Sequence, residues 1–211
     1  MTQLKIKHRL AKDKMMLWGV CLLAALTAVP LFAILGEVLL RGYDQLSWSF
    51  FTEPTPTAYK AMKAIEAGEP IPGGIANGII GTMIMLGMAV VVAVPLGILC
   101  GAFLAENSKS RFAQVVSYLT DLLQGTPSVI IGIITYIWVV VPMKGYSAIA
   151  GSVALCIMML PLIIRSTEET LKILPSSLKE AGLALGGSSA RVMLKVQLPA
   201  AFGGIFTGVL L

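Results

Sequence analysis

The sequence predicts an all-α membrane protein that crosses the bilayer five times, and three observations predict it. Hydrophobic residues make up 56% of the chain and charged residues only 13%, with a mean hydropathy of +0.85, outside the range of ordinary soluble domains. The apolar residues gather into runs of membrane-crossing length separated by polar segments. Lys and Arg concentrate in alternate segments, the bias produced when basic residues near span ends stay on the cytoplasmic side. The net charge of +5 therefore reads as membrane topology. No basic stripe interleaved with stacking aromatics points to nucleic acid.

Met15 to Leu40 is apolar apart from Glu37 and would be roughly 39 Å long as a helix, enough to cross a bilayer with tilt. It follows "KIKHRLAKDK" and is longer than the ~7 to 15 apolar residues of a signal-peptide core, which predicts an uncleaved anchor that the mature chain keeps. Arg41 to Gly73, with Pro54, Pro56, Pro70 and Pro72 and charges of both signs, predicts a polar connection. Residues 1–73 thus form a tail, a first span and an outer loop, and residues 74–211 a transmembrane core. A second span is expected from about Gly74 to Ala105. A third, from about Phe112 to Val141, is broken in its middle by "DLLQGTPS". After the turn "PMKGYS", a fourth runs from Ala148 to Ile164 and carries Pro161. The polar stretch Arg165 to Lys195 comes next, and a fifth apolar run begins at Val196 and reaches Leu211 without a polar end.

Counting basic residues sets the orientation. With the N-terminus inside, the inner segments hold Lys5, Lys7, Arg9, Lys12 and Lys14, then Lys109 and Arg111, then Arg165, Lys172, Lys179, Arg191 and Lys195; the outer ones hold Arg41, Lys60, Lys63 and Lys144. The tail and the segment after the fourth span are therefore expected in the cytoplasm. Cys21, Cys100 and Cys156 sit singly in apolar runs without CxxC or Cys/His spacing, which supports neither a disulfide frame nor a metal site. His8 lies in the basic tail, where a solvated charge near headgroups is the simpler reading. No GxxxxGK[ST] nucleotide loop is present, so ATP hydrolysis is not expected on this chain.

Charged residues inside spans are expensive and mark functional candidates, which singles out Glu37, Asp121 and Arg165. A guanidinium can bind two oxygens of an oxyanion at once; alternatively, Arg165 closes the fourth span and reaches to the headgroups. Asp121 should face a neighbouring helix or water, and Glu37 the outer interface. In "QGTPS", Gly125 and Pro127 interrupt the helix where Thr126 and Ser128 offer hydroxyls. Broken backbone within a membrane is tolerated when it is buried in protein or lines a cavity, so a pathway wall and a plain kink both fit. Asn77 and Thr82 on the second span are weaker pathway candidates. The pairs Gly97/Gly101 and Gly204/Gly208 have the spacing of close helix packing.

The stretch "SSLKEAGLALGGSSARVMLKVQLPAA" interrupts the apolar pattern. "SLKE", Ser177 to Glu180, has capping-box spacing and predicts the start of a short helix. Leu178, Ala181, Gly182 and Leu185 fall on one of its faces, and Gly186 and Gly187 should end it near residue 187. Ser188 and Ser189 can cap the next helix, which enters the membrane past Leu198 and Pro199. An apolar edge with a small-residue centre suits either the lipid interface or a groove in another protein.

This stretch resembles the EAA signature of ABC importer permeases: Glu180, Ala181, Gly186, Val196, Leu198 and Pro199 fall on its spacing, with Gly182 in place of its third-position alanine. "GGIANGIIGTMIMLGMAVVVAVPLGILCGAFLAE", "DLLQGTPSVIIGI" and "LPLIIRSTEETLKILPSSLKEAGLALG" extend the likeness over roughly Gly73 to Leu211 to the PstA-type permease subunits of the bacterial phosphate-specific importer. The resemblance implies a type I ABC importer (MetI-like) fold with five of an expected six spans present. It implies that Glu180, Ala181, Gly182, Leu185, Gly186, Leu198 and Pro199 belong to a coupling helix and its docking segment, seated in a cytoplasmic ATPase. It associates the arginine of the "R-[ST]-T-E" context, here Arg165, with the transport path, beside the candidates Asp121, Asn77, Thr126 and Ser128. Implied partners are a second permease (PstC type), a cytoplasmic ATPase dimer (PstB type) that binds ATP and Mg, and an extracytoplasmic phosphate-binding protein (PstS type), around a multi-pass subunit of the bacterial inner membrane. Alternatives are a permease for another solute, an integral membrane enzyme acting on lipid phosphates, and a non-transporting scaffold.

Overall fold

The computed structural model describes residues 2–43, 46–69 and 71–210. Side chains before Lys12 are outside that description, and with them the reading of His8 and the basic tail; Pro70 is outside it as well. The chain divides into two compact units, residues 1–78 and 79–211.

In the first unit, α1 (Thr2–Gly42) is one unbroken helix in spite of Pro30. Its stretch Lys12–Gly42 is apolar enough to cross a membrane, and none of its most apolar window is buried by protein. Glu37 pairs with Arg41 one turn further on, at 2.6 Å, where the apolar run ends. Two short helices follow, α2 (Trp48–Thr52), capped by the Ser47 hydroxyl, and α3 (Ala58–Ala67), ended by Gly68 in the left-handed conformation. The loop then folds back on α2. Gly74 packs so closely on the Phe50 backbone that an added Cβ would lie 2.0 Å from its carbonyl oxygen. The amides of Gly74, Ile75 and Ala76 donate to Pro54, Phe50 and Glu53, so amides at the entrance of the next helix, which lack partners within it, are satisfied. That helix, α4 (Ala76–Glu106), fulfils the expected second span.

In the second unit the expected third span is sharply divided. α5 (Arg111–Gln124) and α6 (Ser128–Thr135) meet at about 100° across Gly125–Pro127. The chain continues through a π-helical turn, Tyr136–Val140, into the single turn α7 (Val141–Met143). Pro127 lacks the amide that would continue α5, and its extended backbone redirects the chain.

The fourth span is longer than expected. α8 (Ala148–Ile173) runs nine residues past Ile164, so Arg165 lies within the helix rather than closing it. Polar residues there pair along the helix at i, i+3 and i, i+4, which keeps the segment helical. α8 ends where Leu174 turns extended before Pro175, the conformation a following proline favours.

The short helix α9 (Ser176–Ala184) starts from Pro175, and no side chain caps it. The capping box expected at Ser177 to Glu180 is therefore absent: proline already stops α8 and launches α9, placing Ser177 inside the first turn rather than before it. The helix end is as expected. Gly186 has φ +80°, Gly186 N–H donates to Leu183 and Gly187 N–H to Gly182, a Schellman closure. Ser188 caps α10 (Ser189–Val192) by accepting from the Arg191 amide. A second π turn, Met193–Gln197, leads into α11 (Leu198–Leu210). The helix that carries the last apolar run thus begins at Ser189, capped by Ser188 as expected. Each π turn stands two residues before a proline, Pro142 or Pro199, whose ring obstructs the carbonyl four residues back and favours the wider turn.

α8 is central to this unit. Gly97 and Gly101 of α4 bring its backbone against Ile163, Ile164 and Thr167, and Gly204 and Gly208 of α11 pack on Thr170 and Ser166. Two apolar clusters fill the remaining space: Ala102, Leu171, Met193, Ala201 and Ile205, and Leu104, Ala113 and Ile164. Among the described residues four helices are long and apolar enough to cross a membrane, or five segments if α5 with the α6–α7 arm forms one bent span.

Candidate functional site

Arg165 projects from the middle of α8 toward α5 and keeps only 19% of its side chain exposed. Its Nε donates to Asp121 Oδ1 at 3.0 Å, and Nη2 also reaches that oxygen. Nη2 further donates to the Ser117 hydroxyl at 2.7 Å and the Ser117 carbonyl at 3.0 Å. Nη1 donates to Glu168 Oε2 at 2.6 Å, and the other oxygen of Glu168 accepts from Lys172 Nζ at 2.6 Å. Two cations and two carboxylates thus balance in one chain of contacts, the condition under which charges survive removal from water. The snorkelling alternative is not what the side chain does here: it is held within the protein.

The two carboxylates are not equivalent. Glu168 retains 7% of its side-chain exposure and Asp121 56%. Asp121 and Arg165 also line a cavity of about 570 Å³, together with Gln124, Ser166, Glu169, Thr170 and Thr207. The guanidinium and the Gln124 amide share this space with the carboxylates of Asp121 and Glu169, while the hydroxyls of Ser166, Thr170 and Thr207 donate to the Gly204, Ser166 and Gly203 carbonyls and present their lone pairs. Glu168 is the buried counterion of the arginine and Asp121 the more exposed one.

The other candidates read from the sequence are dispersed. Thr126 Oγ1 donates to the Leu122 carbonyl at 2.7 Å, closing the end of α5. Ser128 begins α6 and is exposed. Asn77 belongs to the first unit, where its side-chain oxygen accepts from the Thr55 amide at 3.1 Å and the Thr55 hydroxyl at 2.7 Å. It pins the loop between α2 and α3 to the start of α4.

On α9, Glu180 and Ala181 are exposed, but the expected single docking face is divided. Gly182 faces Val192 of α10, whose Cγ1 would stand 2.8 Å from an added Cβ. Its small size therefore serves packing within the chain. Leu178 is half-buried, whereas Leu185 is the C-cap and 90% exposed. Leu198 packs against the cluster of Leu171, Met193 and Ala201, and Pro199 lies in the first turn of α11.

Three residues of the ion-pair network, and the cavity residues Gln124, Ser166, Glu169, Thr170 and Thr207, were not singled out from the sequence. Glu168 and Lys172 were readable as Arg-x-x-Glu-x-x-x-Lys on a helix, had the segment after Ile164 been taken as helical. Ser117, on α5, carries no local signal, because its role depends on an arginine 48 residues away.

Residues 93–211 match the family described as binding-protein-dependent transport system inner membrane component. Phosphate transport system permease protein PstA of Yersinia pestis is 38% identical over 179 residues, 84% of this chain and 57% of that protein. PstA of Haemophilus influenzae is 36% identical over 179 residues, covering 84% and 60%. PstA 1 of Mycobacterium tuberculosis H37Rv is 34% identical over 184 residues, covering 87% and 58%. The chain spans less than two thirds of the length of each of these relatives.

Proposed function

Because this chain belongs to the family of binding-protein-dependent transport system inner membrane components, we propose that it is a permease subunit of an ABC importer that forms, with a second permease, the ATP-driven path for inorganic phosphate. The observation that carries the substrate is the Arg165 guanidinium at the wall of a polar cavity, paired there with the half-exposed Asp121. The names of the relatives, phosphate transport system permease proteins, support it.

In this reading Arg165 meets phosphate by exchanging Asp121 for a phosphate oxygen, while Glu168 continues to hold the other side of the guanidinium. Ser166, Thr170 and Thr207 line the same wall, and their hydroxyls turn to phosphate by giving up their present bonds to the Gly204, Ser166 and Gly203 carbonyls. The exchange replaces one oxyanion by another at the same cation, so the arginine is never left bare in a low-dielectric setting. α9, bearing Glu180, Ala181 and the exposed Leu183 and Leu185, seats on a cytoplasmic ATPase dimer that binds ATP and Mg. Closure of the dimer moves α9 and, through the Gly182–Val192 contact, the helix that continues into α11. An extracytoplasmic phosphate-binding protein delivers the substrate, and the subunit lies in the inner membrane with its N-terminus in the cytoplasm.

The test is phosphate uptake at low external concentration in cells lacking the gene, complemented with the full-length reading frame, intact or carrying Arg165→Gln. Uptake should fall by about tenfold or more in the variant, equivalent to about 1.4 kcal/mol, at unchanged membrane abundance. Restoration of uptake by Arg165→Gln to the intact level would remove the arginine from the path. Failure of the intact gene would remove phosphate as the substrate.

A further inference from the structure

Glu106 occupies the last position of α4, a place where a carboxylate is disfavoured because the unpaired carbonyls and the helix dipole are both negative there. Two donors from the cytoplasmic segment meet it. Lys179 Nζ lies 2.6 Å from Oε1, and the Ser189 hydroxyl donates to the same oxygen. Lys179 is the neighbour of Glu180 on α9, and Ser189 is the first residue of α10. The pair is partly shielded, with 22% of the Glu106 side chain and 35% of the Lys179 side chain exposed. A single carboxylate oxygen therefore joins the end of α4 to both sides of the Gly186–Gly187 turn.

This junction stands apart from the Arg165 centre and gives α9 a second route into the membrane-spanning helices. The first route is steric, through Gly182 on Val192 and so into α11. The second is ionic, through Lys179 and Glu106 into α4. The two receiving helices are those whose glycines grip α8 from two sides.

We propose that Glu106 is a positioning residue that latches α9 to α4, so that displacement of α9 moves α4 and α11 together. The proposal rests on the reading of the chain as an ATP-driven permease subunit. Loss of the latch leaves α9 able to follow the ATPase while α4 lags, so hydrolysis continues without a matched opening of the path. A merely structural contact would instead lower both activities by lowering the amount of assembled complex.

The test uses the full-length protein assembled with its ATPase, partner permease and binding protein in lipid vesicles, with phosphate as the probe. Uptake and ATP hydrolysis are measured together for the intact chain, Glu106→Gln, Lys179→Glu, and the charge-reversed double variant Glu106→Lys with Lys179→Glu. Each single variant should transport about tenfold less phosphate per ATP hydrolysed, and the reversed pair should recover to within about threefold of the intact ratio. The reversed pair is electrostatically tolerable because a lysine suits the C-terminal end of α4.

An unchanged ratio in Glu106→Gln, or no recovery in the reversed pair, would overturn the latch. Failure of both Glu106→Gln and the reversed pair to assemble would make the pair a folding contact and overturn it equally. If the intact complex imports no phosphate, the substrate reading fails on its own. The latch is then judged by whether loading of the binding protein still stimulates hydrolysis in the intact complex and in the reversed pair, but not in the single variants.

Discussion

The face of α8 that meets α4 is buried and carries Ile163, Ile164 and Thr167, whereas the face that meets α11 borders the cavity, although both are approached by glycines four residues apart. On the α4 side, a Cβ added at Gly101 would lie 2.6 Å from the Ile164 carbonyl oxygen and 2.6 Å from Thr167 Cβ, and one at Gly97 2.6 Å from Ile163 Cγ2. The Gly101 contacts are with backbone or with atoms fixed at the root of a side chain. On the α11 side, a Cβ added at Gly204 would meet Thr170 Cγ2 and Oγ1, and one at Gly208 would meet Ser166 Oγ and, at 2.1 Å, Ser166 Cβ; the Ser166 hydroxyl donates to the Gly204 carbonyl at 3.3 Å. The difference teaches that one spacing serves two purposes. The α4 seam packs on a backbone carbonyl and apolar atoms, while the α11 seam packs on short polar side chains that border the cavity.

Four substitutions would break or sharpen that contrast. The largest effect is expected from Glu168→Gln, which leaves Arg165 and Lys172 short of a buried counterion between the two faces. A loss of about 3–5 kcal/mol should appear in denaturant unfolding of the purified protein in detergent. Gly101→Ala comes next, at about 1–3 kcal/mol in the same measurement, because the Ile164 carbonyl has nowhere to go. Gly204→Ala should cost about 1 kcal/mol or less, since Thr170 can rotate. Added to Thr170→Ala it should change stability by less than about 0.5 kcal/mol. Equal losses from Gly101→Ala and Gly204→Ala would erase the distinction between the seams. The smallest change in stability, below about 1 kcal/mol, is expected from Asp121→Asn, because that carboxylate is half-exposed.

Features set by one residue and its immediate neighbours were legible in the sequence. Gly186 reads as a helix end because the position needs positive φ, and the glycine pairs read as contact surfaces because their spacing lines them up on one face. The apolar runs located α4, α11 and the C-terminal end of α1 to within a turn or so, but α1 begins at Thr2, well before the apolar run at Met15. Polarity misled at Arg165, because the residues that neutralise it lie partly on the same helix and partly on α5. The ion pair with Asp121 spans 44 positions, and that of Lys179 with Glu106 spans 73. Neither leaves a local pattern. At the start of α9 two signals competed, and the proline before the helix prevailed over the serine within it.

The π turn at Met193–Gln197 holds one residue more than an α turn, so every side chain beyond it points about 100° away from where an unbroken α-helix from Ser189 would aim it. With that rotation Ala201 and Ile205 meet Ala102 and Leu171 in the interior. Removing one residue from the turn would restore regular winding and swing those side chains out of register. The count of residues between Gly186 and Leu198 therefore acts as an angular setting: a length in the sequence that fixes which side of the final helix looks inward.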